Sequence, residues 1–341
     1  MRTVLLRVIL AITASAALAV TAFAAPAGAK VPGPNGQIVF GRFNPALGDT
    51  VIYTINPDGS GQDRLSPGNF GNAESPHWSP DGSNVVFISP AGLPPAAQPA
   101  AVIANPDTGT FRVLPEQEPD TLFTDCHIWS PDAARLGCES FGVTDPTLNG
   151  IYTIRSSDGG GLTRLTSNPG GDDGPCDYSP DGAHLLFARA RADGSSELDT
   201  VNVATGAVQQ LAPAGTTLTD FQCGSWSPQG NQILFAARAA PGQRFSIYVV
   251  KSDGSGLHQV PINPSCGGAV TDPTSRSCRQ PGWSPDGTKI VLSIFLPATG
   301  KTDIYTVNVD GSGLFQVTHS GSARPGEGAE APDWGPHPIT G

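Results

Sequence analysis

The phrase "HWSPDGSNVVFIS", His77 to Ser89, returns along the chain. It comes back as "IWSPDAARLGCES" from Ile128, "DYSPDGAHLLFAR" from Asp177, "SWSPQGNQILFAA" from Ser225 and "GWSPDGTKIVLSI" from Gly282. A shortened copy, "DWGPHP", starts at Asp333. The aromatic positions Trp78, Trp129, Tyr178, Trp226, Trp283 and Trp334 are spaced by 51, 49, 48, 57 and 51 residues. A period of this size means one supersecondary unit repeated, and it restricts the chain to solenoids, propellers or similar arrays.

Each phrase reads as a β-hairpin. In Ser79-Pro80-Asp81-Gly82, proline presets the backbone angle of the second turn position and aspartate suits the third. Glycine accepts the left-handed conformation that closes a bulged hairpin. The following "NVVFIS" is apolar and β-branched, as a buried strand requires. A second hairpin fills the rest of each period, as in "VIYTINPDGSGQDRLS" from Val51, "SIYVVKSDGSGLHQV" from Ser246 and "DIYTVNVDGSGLFQV" from Asp303. Two hairpins per period make a four-stranded antiparallel sheet, and nothing helical interrupts them. The predicted fold is therefore an all-β, six-bladed β-propeller. Its closure is legible too. "DWGPHP" supplies an inner strand with no partner after it, and "PNGQIVFGRF" supplies a second strand with no inner strand before it. Pairing the strand near Trp334 with Gln37–Phe43 completes the sixth blade and removes two exposed edges.

"WSPDG" followed by an apolar strand, alternating with "IYxxxxDGSGxxxLT", resembles the TolB-like, WD-repeat-like propeller repeat. That repeat occurs in the periplasmic protein TolB and in the propellers of prolyl-oligopeptidase and dipeptidyl-peptidase-type enzymes. The resemblance covers about residues 36 to 336 and implies the fold. Its shared residues build turns and packing, so function has to come from elsewhere. TolB carries an α/β domain before its propeller, and the peptidases carry an α/β-hydrolase domain. No counterpart of either is read here, and there is no G-x-S-x-G nucleophile elbow. Neither a Tol–Pal role nor peptidase activity carries over, and a non-catalytic protein is expected.

The first 29 residues differ from the rest. A basic "MRTVLLR" precedes the apolar "VILAITASAALAVTAF", and Ala22-Phe23-Ala24 and Ala27-Gly28-Ala29 each offer an A-x-A cleavage site. This reads as a secretory signal peptide cut after Ala24 or Ala29, leaving 30–341 as a single propeller domain. The apolar run is shorter than the ~20 residues of a spanning helix, and no transmembrane segment is expected in the mature chain. The expected location is secreted or in the cell envelope. Losing Arg2 and Arg7 takes the net charge from −11 to −13. Such acidity opposes binding to nucleic acid phosphates.

An even number of cysteines in an exported chain points to disulfides. A hairpin folding about Pro131-Asp132 sets Cys126 nearly opposite Cys138. Cys266 and Cys278 flank the extra residues of the 57-residue spacing. Cys176 and Cys223 occupy nearly equivalent places in consecutive repeats. Six cysteines allow 15 connectivities, and these three pairings are the expected ones.

Functional candidates cluster before the aromatic anchors, where in the resembled family the chain enters the innermost strand at one mouth of the channel. They are Glu74, His77, Asp125, His127, Asp172, Asp173, Asp177, Asp220, Glu330 and Asp333. Converging carboxylates would suit Ca²⁺, and histidine would add affinity for other divalent cations. Carboxylate pairs would also suit acid–base work on a sugar. The plainer alternative is that acidic residues solvate loops or cap turns. Arg164, Arg189, Arg238 and Arg279 are read as solvated or ion-paired. The aromatic anchors are read as wedges between blades. The preferred function is a binding scaffold for a protein, peptide or glycan. The alternative is a metal-dependent glycan lyase or hydrolase working at the channel mouth.

Overall fold

The Ser-Pro-Asp-Gly turns close through their own side chains. Ser79 Oγ donates to Asp81 Oδ1 at 2.6 Å and accepts from Asn84 N at 2.9 Å. Gly82 takes the left-handed φ of 72°. The same hydroxyl–carboxylate bond recurs at Ser130–Asp132, Ser179–Asp181 and Ser284–Asp286, each at 2.6 Å. The Ser130 hydroxyl holds the Asp132 carboxyl below its usual range. Gln229 replaces the aspartate in one turn, and there Ser227 Oγ bonds to Asn231 Oδ1 instead.

The computed structural model describes residues 32–67, 70–90, 100–115, 121–211, 216–320 and 328–340. The expected leader lies outside the described residues. The strands form six four-stranded antiparallel sheets. Blades 1 to 5 span residues 74–113, 122–164, 172–210, 219–259 and 277–316. Their innermost strands are Glu74–Trp78, Leu122–Trp129, Asp172–Tyr178, Thr219–Trp226 and Ser277–Trp283. The sixth blade joins the two ends of the chain. Ala329–Trp334 is its inner strand, followed outward by Ile38–Asn44, Asp49–Ile55 and Asp63–Arg64. Ile38 pairs with Trp334 and Arg42 with Ala329, so the ring closes as predicted. Among the described residues no helix is long and apolar enough to cross a membrane.

Each blade's apolar surface is covered by its neighbour. Trp78 packs with Val39 and Ile52 of the sixth blade, and Trp129 with Val86 and Ile88 of blade 1. Tyr178 packs with Ile128 and Ile151 of blade 2. Trp226 sits against Leu186 and Leu198 of blade 3, Trp283 against Leu234 and Ile247 of blade 4, and Trp334 against Val291 and Ile304 of blade 5. All six rings are buried. Burying one large apolar side chain is worth about 1.5–3 kcal/mol, so each wedge adds about that much to the contact between blades.

Polar bonds and disulfides reinforce the same interfaces. Asp333 Oδ2 accepts from Trp78 N at 2.9 Å, and Asp177 Oδ2 accepts from Trp226 N at 2.9 Å. Trp129 Nε1 donates to His77 O, and Trp283 Nε1 to Ser225 O. Cys176–Cys223 links the inner strands of blades 3 and 4, Cys126–Cys138 crosses the first hairpin of blade 2, and Cys266–Cys278 closes the long insertion. At the closing blade, the His337 ring stacks on Trp78 with centroids 4.9 Å apart and planes 9° apart, and its Nδ1 donates to Gly82 O at 2.9 Å.

Two outcomes follow for stability. A Cβ on Gly335 would lie 2.3 Å from Trp78 Cγ, in a crowded part of the closing blade. Gly335→Ala should lower unfolding free energy by about 1–3 kcal/mol, the usual cost of overpacking. An unchanged denaturant midpoint would contradict this packing. Replacing Cys176 and Cys223 by serine opens a loop with a sequence separation of 47. Loop entropy sets the loss at about 4 kcal/mol. A double variant as stable as the parent under oxidising conditions would show that the bond is not what holds blades 3 and 4 together.

Candidate functional site

Every inner strand slips in register shortly before its anchor. The ladder is interrupted between Glu74 and His77, Cys126 and Ile128, Pro175 and Asp177, Gln222 and Ser225, and Arg279 and Gly282, and opposite Val39 and Gly41. A bulge of this kind bends the strand and re-aims side chains. In three blades the residue three places before the tryptophan has a left-handed backbone: Ser75, Gln280 and Ala331, with φ of 51°, 49° and 51°. Non-glycine residues hold this conformation only where their surroundings enforce it.

These bulges surround a cavity of about 270 Å³ in the channel, with walls from all six blades. Of the ten candidates, His77, Asp125, His127, Asp177 and Asp333 line it. Their polar atoms are largely engaged. Asp177 and Asp333 accept the backbone N–H groups that join neighbouring blades. His127 Nδ1 lies 2.8 Å from Asp125 Oδ1. The His77 and His127 rings face each other with centroids 5.5 Å apart, and His77 Nδ1 lies 3.2 Å from Ser75 O.

Glu139 also lines the cavity and was not singled out from the sequence. It belongs to the second strand of blade 2, opposite Asp125, outside the segment that drew attention. Burial and a hydrogen bond to Asp172, with the charges of Asp172, Asp125 and Asp173, push its carboxyl up to about 9. Burial also raises Asp172. Burial and then the charge of Asp125 raise Glu74. Blades 1 to 3 thus contribute an acidic wall in which the Glu139 carboxyl keeps its proton at neutral pH.

The other candidates lie elsewhere. Asp173 is buried, and Arg189 grips it through two bonds of 2.8 Å, with Thr166 and Asn168 completing its shell. Asp220 is exposed, and its Oδ2 lies 2.8 Å from Arg238 Nε. Glu330 lines a second cavity, of about 240 Å³, beside Arg279. Arg164 bonds the carbonyls of Thr147, Asn149 and Thr166. Arg164, Arg189 and Arg238 are thus tied to the protein itself.

This arrangement suits a divalent cation poorly. Among the described residues no three His, Cys, Asp or Glu side chains are placed to hold one metal ion. The carboxylates that reach the channel cavity already serve backbone N–H groups, a histidine or one another. It also differs from a glycosidase pair, whose carboxyls stand about 5–9.5 Å apart around the scissile bond. Glu139 and Asp172 instead bond directly to each other.

The raised Glu139 has a consequence for pH dependence. It titrates at about 9 in the folded chain and near 4.5 when exposed. Folding therefore retains a proton that the unfolded chain gives up, and stability falls as pH rises through that window. Glu139→Gln keeps a donor for Asp172 and has nothing to titrate. Its melting temperature should decline less steeply than the parent's between pH 5 and pH 8. Parallel declines would remove Glu139 as a source of the dependence.

No family model matches the chain. An uncharacterized protein of Agrobacterium fabrum is 30% identical over 210 residues, which is 58% of this chain and 63% of that protein. TolB from Acinetobacter baumannii superimposes with a TM-score of 0.68 at 19% identity, over 88% of this chain and 66% of that one. A protein assigned as TolB in Agrobacterium tumefaciens gives 0.59 at 17% identity, over 84% and 90%. The chain thus spans about two thirds of the length of the Agrobacterium fabrum relative and of the Acinetobacter TolB. At these identities the likeness to the solved structures shows the fold, a TolB-like six-bladed propeller.

Proposed function

We propose that this chain is an exported, non-catalytic binding scaffold that recognises a peptide or protein segment at the channel mouth where the inner strands begin. The observation that carries this reading is the unequal irregularity of the two ends of the ring. One end consists of near-identical Ser-Pro-Asp-Gly turns closed by their own hydrogen bonds. The other holds the 3₁₀ turn Pro146–Leu148 and the insertion closed by Cys266–Cys278. In repeat architectures, insertions collected on one face mark the binding face. Export is supported by the leader read in residues 1–29 and by cysteines that are all paired. A scaffold also accounts for carboxylates committed to neighbouring groups. The glycan-enzyme alternative needs a poised pair.

The test is a selection of displayed random peptides against the oxidised protein. Selected peptides should bind the parent and a turn-end variant, Asp181→Asn, equally. They should lose affinity for His77→Ala and for a variant with residues 267–276 shortened. Failure to select any binder, or binding that tracks the turn end, would overturn the proposal.

A further inference from the structure

The mouth carries charges of opposite sign on its two sides. Opposite the acidic wall of blades 1 to 3, Arg238, Arg244 and Arg279 gather on blades 4 and 5. Arg238 and Arg279 lie over the same Phe245 ring, 4.3 Å and 4.9 Å from its centroid, and Arg244 lies 5.7 Å from that of Phe295. Close positive charges repel, and such a group needs anions near it. The protein supplies few. Asp220 touches Arg238, but the Nε–H does not point at the oxygen, so this contact is an ion pair without a hydrogen bond. Asp272 attracts Arg244 without a salt bridge, and Arg244 Nε is buried with no acceptor.

Arg279 makes a single hydrogen bond among the described residues. Its Nε donates to Ser277 Oγ at 3.3 Å, and among the described residues neither terminal nitrogen has an acceptor. Glu330 attracts it but is not in ion-pair contact. Burial, and then the charges of Arg238 and Arg244, weaken its hold on its proton despite Glu330. The half-buried guanidinium lines the cavity of about 240 Å³ with Gln280, Ser293, Phe295, Thr302 and Glu330.

Gln280 supplies a second donor. Ser293 Oγ lies 3.0 Å from its Oε1, and Ala331 N donates to the same oxygen at 2.9 Å. A backbone N–H can only donate, so this pair fixes the amide orientation. Nε2 is left as a donor without a protein acceptor among the described residues. Gln280 sits at the bulge with a left-handed backbone, φ 49°. A forked guanidinium beside an oriented amide N–H, in a cavity with an aromatic wall, matches a carboxylate.

We propose that this cavity binds a carboxylate of a peptide ligand, with the Arg279 guanidinium and Gln280 Nε2 as its donors. The proposal deepens the binding reading above and rests on it. The choice of peptide over acidic glycan comes from the two-sided charge. A peptide can carry a carboxylate and a cationic group together. A polyuronate would set its negative charges against Glu74, Asp125 and Asp172.

The experiment uses three probes in isothermal titration: acetyl-Lys-Ala-Ala with a free carboxylate, the same peptide as its C-terminal amide, and trigalacturonate. The free acid should bind at least about tenfold more tightly than the amide, as loss of one charged bidentate contact predicts. Arg279→Gln should remove that difference while still unfolding cooperatively. Glu330→Gln removes the one carboxylate on the cavity wall and should tighten binding of the acid severalfold. A general loss of structure would not produce these opposite signs. Equal binding of acid and amide, an Arg279→Gln variant that still distinguishes them, or binding of trigalacturonate alone would each overturn the proposal. So would no binding of any probe. The peptide selection is a separate measurement, so the broader reading can stand if this subsite fails.

Discussion

A blade of four short strands with two apolar faces is not stable in water by itself. That constraint organises everything else in this molecule. Both faces must be covered, each neighbour has the same need, and only a closed ring satisfies all six blades. The aromatic anchors are where the need is met. Each projects from the end of an inner strand into the surface of the preceding blade, and each brings backbone and indole N–H groups that must also find acceptors. Asp333 and Asp177 meet that second demand for the backbone N–H groups of Trp78 and Trp226, and the carbonyls of His77 and Ser225 for the indoles of Trp129 and Trp283, while the indole N–H groups of Trp78 and Trp226 stay buried without an acceptor among the described residues. Part of the acidic character of the channel is thus a consequence of packing tryptophans between sheets.

The remaining charges do not spread evenly around the channel. Bulges break the strand alternation that would otherwise set every second residue to one side. In blades 1 to 3, burial and the charge of neighbouring carboxylates raise the carboxyls of Glu74, Glu139 and Asp172. The arginines of blades 4 and 5 share aromatic supports and little opposing charge. The dividing line falls where blade 5 meets the closing blade, at Gln280 and Glu330. A rigid ring can hold such unfavourable like-charge groupings because its stability comes from apolar contacts elsewhere.

The fold was legible because its signals are local and repeated. The turn residues specify hairpins, the period counts the blades, and the half-blades at the two ends specify closure. The three disulfide pairings were legible for a related reason, since hairpin register and repeat equivalence convert spacing into proximity. The site was less legible. Position before an anchor does not say whether Asp173 meets Arg189 or solvent, and it gave no hint that Asp333 would cap Trp78. Glu139 lies on a second strand, where nothing in the pattern sets it apart from a surface residue. Arg279 looked like Arg164 and Arg189 in sequence. What separates it is that its two terminal nitrogens have no acceptor among the described residues, a property of three-dimensional surroundings only.

The closing blade places its two contributing segments far apart in the chain. The bond from Trp334 Nε1 to Gly36 O alone spans a separation of 298 residues. Contacts of such span cost the most loop entropy and give no return until both segments are present. The seam between Ile38–Asn44 and Ala329–Trp334 therefore carries the largest loop-closure cost among the strand pairs. The interfaces among blades 1 to 5 join blades that are adjacent in sequence. Resistance to proteolysis then depends on the unfolding barrier at this seam, where the His337 ring stacks on Trp78.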